Sequence, residues 1–137
     1  ITRNTDYAMR ALTYIAGRKN KTTSVSELVE KIKIPRSFLR KLLQKLNKEG
    51  ILRSSKGQKG GFILAVAPQK IFLTDLINIF QGTLRLNECL FKKEPCPKTR
   101  TCPLNKTIEA IEKDVLVKLR SITVASLSSK FKRLGMH

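Results

Sequence analysis

Tryptophan is absent from this chain, and its aromatic side chains amount to two tyrosines and six phenylalanines among 137 residues. A core must therefore be packed mainly from Leu, Ile and Val. There is a single histidine, His137, at the last position. With no histidine inside the ordered chain, no general base stands ready for a catalytic cysteine. A closed zinc site within one chain is equally poorly served, because structural zinc takes four ligands, commonly as closely spaced Cys or His pairs. No apolar run approaches the ~18 residues that suggest a membrane span, and no charged-then-apolar leader with a small-residue cleavage site opens the sequence. A soluble, cytoplasmic protein is expected. Acidic residues are scarce: 10 Asp/Glu face 28 Lys/Arg, for a formal net charge of +18. The excess is uneven, with 15 Lys/Arg against 4 Asp/Glu in residues 1–61 and 13 against 6 in residues 62–137. A basic first half is the electrostatic footprint of a polyanion binder. A membrane-surface role lacks its signature, a helix joining a basic face to Trp, Phe or Leu anchors.

What the chain does have is three cysteines close together. Cys89, Cys96 and Cys102 follow a C-x6-C-x5-C spacing, with Lys92, Lys93, Lys98 and Arg100 between them. Three thiols cannot all pair as disulfides within one chain, and in a reducing cytoplasm thiols more often bind metal or do redox chemistry. Their softness suits iron–sulfur chemistry or zinc. The spacing is wider than zinc pairs normally show, whereas an iron–sulfur centre accepts wider spacing and a non-cysteine ligand. Neighbouring cations favour thiolates, which also react with oxidants. An iron–sulfur cluster, a thiol redox switch and zinc all remain open on spacing alone.

Around this segment the hydrophobic periodicity marks helices. From Thr5 to about Arg18, Ala8, Ala11, Leu12, Ile15 and Ala16 recur at helical spacing. Ser24-Val25-Ser26-Glu27 has the S-x-x-E form of a capping box and opens a second helix that must stop before Pro35. A third begins with Pro35 at or near its first position, buries Leu39, Leu42, Leu43 and Leu46, and ends at Gly50. Its opposite face carries Arg36, Ser37, Arg40, Lys41, Gln44, Lys45 and Lys48. Two helices joined by so short a link read as a helix-turn-helix, and the polar face of the second as a groove-reading surface.

Directly after it, Ile51-Leu52-Arg53 and Phe62-Ile63-Leu64-Ala65 flank a loop with three glycines and two lysines, Lys56 and Lys59. This predicts a basic hairpin, a wing whose lysines reach phosphates or the minor groove. A phosphate-cradling nucleotide loop is excluded, because no G-K-[ST] follows and no helix opens after the glycines. A short helix capped by Thr74-Asp75 runs through Leu76, Ile77, Ile79 and Phe80 to Gly82. Residues 83–102 show no sustained periodicity. From about Pro103, Leu104, Ile108, Ile111, Val115, Leu119 and Ile122 form one apolar seam on a long helix, the pattern of a dimerisation surface. Thr123 can cap a short segment through Leu127, and Lys130–His137 reads as a loose basic tail.

Three stretches together resemble one bacterial family. They are Thr2-Arg3-Asn4-Thr5-Asp6-Tyr7-Ala8-Met9-Arg10-Ala11-Leu12, the wing Gly57-x-x-Gly60-Gly61-Phe62-Ile63-Leu64, and the three-cysteine loop. In this order they resemble the iron–sulfur winged-helix transcriptional regulators typified by IscR and NsrR, over residues 1 to about 127. The resemblance implies a homodimer built on the long C-terminal helix and a 2Fe–2S or 4Fe–4S cluster held by Cys89, Cys96 and Cys102. It also implies binding to pseudo-palindromic sites in double-stranded promoter DNA. The fourth ligand differs within that family. The histidine of one branch corresponds to Asn105, a poor iron ligand. The first-helix aspartate of the other, given by the partner subunit, corresponds to Asp6, so the NsrR arrangement is the nearer one. Asp6 would also suit the helix dipole simply as a first-turn carboxylate. Residues Arg36 to Arg40 depart from both branches, so no operator sequence carries over.

The expected fold is mainly α with a small β-hairpin wing. Residues 1–82 form a winged helix-turn-helix domain, 83–102 a cysteine-rich cluster-binding loop, and 103–137 the dimerisation helix (seam Leu104, Ile108, Ile111, Val115, Leu119) and tail. The expected function is a homodimeric DNA-binding regulator, not an enzyme, whose promoter affinity is switched by a cluster sensing nitric oxide, redox state or iron–sulfur status. DNA contacts fall to Arg36, Ser37, Arg40, Lys41, Lys56 and Lys59. A cluster-free thiol redox regulator and a cysteine-based redox enzyme are the competing classes.

Overall fold

A computed structural model describes residues 2–18, 22–56, 60–82 and 103–133 of the chain. Helix α1 (Arg3–Gly17) starts two residues earlier than its apolar spacing predicts. The reason is Thr2, whose extended backbone lets its hydroxyl accept the Thr5 N–H at 3.4 Å. Ala8, Ala11, Leu12 and Ile15 point inward. The two alanines keep the helix surface low, and α1 touches nearly every other helix of the domain.

Helix α2 (Val25–Ile32) is capped as expected by Ser24, which accepts the Glu27 N–H at 3.1 Å. The other half of the box does not form. Glu27 turns away and accepts the Tyr14 hydroxyl at 2.7 Å while pairing with Arg18 Nε at 3.1 Å, which staples α2 to α1. Lys33 then takes a left-handed conformation, φ 54°, to end the helix. Helix α3 (Arg36–Lys48) has Pro35 as its N-cap rather than its first residue, and Leu39, Leu42, Leu43 and Leu46 are buried as the spacing requires. Its end is a Schellman motif: Ile51 N–H donates to Leu46 O at 3.0 Å and Gly50 N–H to Asn47 O at 3.1 Å. Gly50 sits at φ +81°, where a side chain would be strained.

Strands β1 (Leu52–Ser55) and β2 (Gly61–Leu64) pair antiparallel, Leu52 opposite Leu64 and Ser55 opposite Gly61. A third partner joins them that the sequence does not announce. Thr23, ahead of α2, bridges Phe62 through two hydrogen bonds of 3.0 and 2.8 Å. This close approach explains Gly61, since a Cβ there would run into the Thr23 carbonyl.

A 3-10 turn (Pro68–Lys70) leads to α4 (Leu73–Phe80), whose start is fixed by the Asp75 carboxylate accepting the Phe72 N–H at 3.2 Å. Thr74 is therefore inside the helix rather than its cap. Helix α5 (Pro103–Arg120) packs against α4, and α6 (Val124–Arg133) returns to lie on α1 and the 3-10 turn. Thr123 and Ser126 cap α6 reciprocally, at 3.1 and 3.0 Å. The C-terminal segment is thus helical well past Leu127, and Lys130–Arg133 belongs to it. Fully buried Val124 places it in the core of residues 2–82. That core is made of Leu12, Leu28, Leu39, Leu43, Leu46, Leu52, Ile71 and Leu76, with the aromatics Tyr7, Tyr14, Phe38, Phe62 and Phe80 only at its rim. The architecture is mainly helical with a two-stranded hairpin.

Candidate nucleic-acid interface and cluster site

Four buried leucines on one side of α3 force its remaining side chains outward, and Arg36, Ser37, Arg40, Lys41, Gln44, Lys45 and Lys48 are all exposed. Arg36 does not float: its guanidinium donates to the Ser26 hydroxyl of α2 at 3.1 Å. Phe38 meets Tyr7 edge-on, ring centroids 5.5 Å apart, so α1 holds the first turn of α3. Lys45 stands over the ring of Phe80 at 5.6 Å. Lys56 is exposed where β1 ends, and Arg53 is exposed within that strand. Lys59 lies outside the described residues. The surface formed by α3 and the wing therefore presents several cations and, among the described residues, one carboxylate at the far end of α3, Glu49. It can hold a polyanion along a helix and a hairpin.

Asp6 is exposed in the first turn of α1 and pairs with Arg10 Nε at 3.2 Å, an i,i+4 contact on open surface. Its helix end is tied to α4. Gln81 Oε1 accepts both the Thr2 N–H at 2.8 Å and the buried Thr5 hydroxyl at 3.1 Å. Sequence reasoning missed Gln81, for no pattern marks a single amide that bridges elements so far apart in the chain. Cys89, Cys96 and Cys102 lie outside the described residues, and among those described no three Cys, His, Asp or Glu gather as metal ligands. Asn105 is buried in the first turn of α5, its amide donating to Glu109 at 3.2 Å.

The apolar seam of α5 is divided. Ile108 is buried and Leu119 packs against the core. Leu104 and Ile111 remain 57% and 49% exposed, with Val115 half-buried beside them. Val117, 66% exposed, lies off the seam on another side of the helix.

Two packed helices joined by a short link, a hairpin wing after the second, and a cationic face on that second helix define a winged helix-turn-helix of the transcription-factor class. The profile of the Rrf2 family, described as an iron-dependent transcriptional regulator, matches residues 1–130. The chain belongs to the Rrf2 family, a family of transcriptional regulators rather than enzymes. A protein of Aquifex aeolicus described as an HTH-type transcriptional regulator is 39% identical over 90 residues, which is 66% of this chain and 62% of that relative. The chain thus spans less than two thirds of that relative's length. The HTH-type transcriptional regulator NsrR of Shouchella clausii is 35% identical over 106 residues, 77% of this chain and 68% of that protein. In three dimensions the chain is similar to T. potens IscR, with a TM-score of 0.78 at 22% identity, covering 100% of this chain and 91% of that one. At that identity the likeness speaks for the fold. Among the described residues no helix is long and apolar enough to cross a membrane.

Proposed function

We propose that this chain is a cytoplasmic, homodimeric regulator that binds double-stranded promoter DNA, and that an iron–sulfur cluster switches its affinity. The observation that carries this reading is the cationic face of α3, held in a helix-turn-helix by four buried leucines and flanked by a basic wing. Arg36, Ser37, Arg40 and Lys41 would meet the major groove, and Lys56 and Lys59 the flanking backbone or minor groove. Of the expected seam, Ile108 and Leu119 are used within the chain, and Leu104, Ile111 and half-buried Val115 would support the second copy, so that two copies of α3 address successive half-sites. Functionally, residues 1–82 together with α6 would serve as the DNA-binding unit, 83–102 as the sensing segment and α5 as the assembly arm.

Cys89, Cys96 and Cys102 would hold the cluster, with Asp6 as the fourth, more weakly binding ligand. The donor set fits: three soft thiolates with one hard, exposed carboxylate favour a labile centre over a permanent one. Gln81 fixes the end of α4 to the first turn of α1, so the helix end that would offer the Asp6 carboxylate across the dimer is held in place. When bound, the group supplies a redox- and nitric-oxide-reactive inorganic centre. The chain's own part is to present the ligands and to bind DNA through α3 and the wing.

The deciding experiment is anaerobic purification with iron and sulfide determination, a visible and Mössbauer spectrum, and promoter binding before and after cluster removal. Each cysteine→Ala variant should fail to assemble the cluster. Asp6→Ala should assemble it, with a shifted spectrum and shorter lifetime. A colourless, iron-free protein whose DNA binding follows thiol oxidation would replace the cluster with a thiol switch. Thiol–disulfide turnover without DNA binding would put the chain among redox enzymes.

A further inference from the structure

Lys45 and Phe80 belong to different elements, and neither is needed where a solvated surface lysine would do. Phe80 is the last residue of α4 and is half-buried, packed against the core. Its ring is therefore a fixed platform. Lys45 is exposed, on the third turn of α3, and places its ammonium 5.6 Å from the ring centroid, inside the range of a cation–π contact. A flexible four-carbon side chain is thereby given a preferred position.

That position matters because of where Lys45 lies around α3. At about 100° per residue, the direction opposite the buried leucines is shared by Ser37, Lys41, Gln44 and Lys48. Arg40 lies about 70° to one side of that direction and Lys45 about 70° to the other. A helix set in the major groove turns its centre toward base edges and its flanks toward the phosphates of the two strands. Lys45 is a flank residue on the side where Tyr7 and Phe80 support α3.

We propose that Lys45 contacts a backbone phosphate and that Phe80 is its positioning residue, so that the end of α4 sets part of the affinity of α3 for DNA. The proposal rests on the DNA-binding reading above. It needs no operator, because phosphate contacts act on any sequence.

The test uses the full chain and a mixed-sequence DNA duplex, with binding measured by anisotropy across a potassium chloride series. Lys45→Ala should weaken binding and reduce the slope of log K against log salt by about one unit. Phe80→Leu keeps the charge, so the slope should hold while affinity falls about 2–5-fold at every salt concentration, the loss expected for an exposed cation–π contact. Phe80→Tyr should bind as the parent does. In the Lys45→Ala background, Phe80→Leu should cost nothing further, since the ring acts through the lysine. Equal losses from Phe80→Leu in both backgrounds would make the ring a mere support of the fold, and the proposal would be wrong. It would also fall if Lys45→Ala matched the parent in slope and affinity while Lys41→Ala lowered both. A parent chain that binds no duplex at any salt would remove the DNA-binding reading itself.

Discussion

Helices α3 and α5 are both amphipathic, yet the chain completes only one of them. Helix α3 has 13 residues and buries Leu39, Leu42, Leu43 and Leu46. Helix α5 has 18 and buries only Asn105 and Ile108. The shorter helix is closed at its end by a Schellman motif and held at its start by Arg36 and Phe38. The longer one leaves Leu104 and Ile111 open. The lesson is one of division: the chain fixes the element that presents cations entirely by itself, and leaves part of the α5 seam, the proposed assembly surface, uncovered. A seam that a monomer satisfied fully could not drive a second copy to bind.

The largest expected effect tests that division at α3. Leu43 is fully buried, so Leu43→Ala should lower the unfolding free energy by about 3–4 kcal/mol, through lost transfer energy and the cavity left behind. Ile111→Ala, at a half-exposed position, should cost the folded monomer under about 1 kcal/mol. Urea unfolding of both variants at concentrations where only monomer exists gives the two numbers. If they came out equal, α5 would be as complete as α3, and the contrast between the helices would be lost.

The next effect concerns assembly. Ile111→Glu places a charge in the exposed part of the seam. The monomer should tolerate it, whereas in a dimer it would bury an unpaired carboxylate at a cost of several kcal/mol. Sedimentation should show a folded monomer, and binding to a two-half-site operator should weaken strongly because the two contacts are no longer linked. A variant that sediments as the parent does would mean that α5 meets no second copy through this seam.

Much of this was legible in the sequence, and the exceptions share a cause. The leucine stripe of α3, the Gly50 stop, the hairpin and the cationic face follow from periodicity and turn chemistry, which act over a few residues. The Thr23–Phe62 bridge, the Gln81 link and the Glu27 staple each join residues distant in the chain through one or two hydrogen bonds. Such contacts leave no periodic trace. Glu27 shows the point most clearly: the local capping pattern is intact, but Tyr14 and Arg18 compete for the carboxylate and win. Gly61 was visible as a wing glycine, but its reason, the Thr23 carbonyl beside it, was not. At the proposed cluster site the sequence still leads, because Asp6 is the one expected ligand within the described residues.

A smaller effect separates two roles of Asp6. Its ion pair with Arg10 is exposed and should contribute only a few tenths of a kcal/mol. Asp6→Asn should therefore leave the urea midpoint of the cluster-free protein nearly unchanged, while shortening the cluster lifetime if the carboxylate is a ligand. A large loss of stability in the cluster-free protein would instead make Asp6 a structural residue of α1.

A last effect lies in the staple that holds α1 and α2 together. Burial raises the Tyr14 phenol above its ordinary value of 10.0, and the hydrogen bond to Glu27 and that residue's charge raise it further, with Arg18 opposing. The sign follows from proton binding. A phenol whose folded value exceeds its unfolded one holds its proton more tightly in the native state, so its contribution is complete below about pH 10 and is lost as pH rises through the folded value. Tyr14→Phe removes both the Glu27 bond and the titrating group. At neutral pH it should cost about 1 kcal/mol, as for a part-buried hydrogen bond to a charged acceptor. Urea midpoints of the parent and Tyr14→Phe, followed from about pH 8 to about pH 11, should converge as the parent phenol ionises. A gap that stayed constant through that range would show that the hydroxyl's bond to Glu27 does not hold the phenol protonated, and that α2 is kept in place by the Arg18–Glu27 pair and the apolar contacts of Leu28 instead.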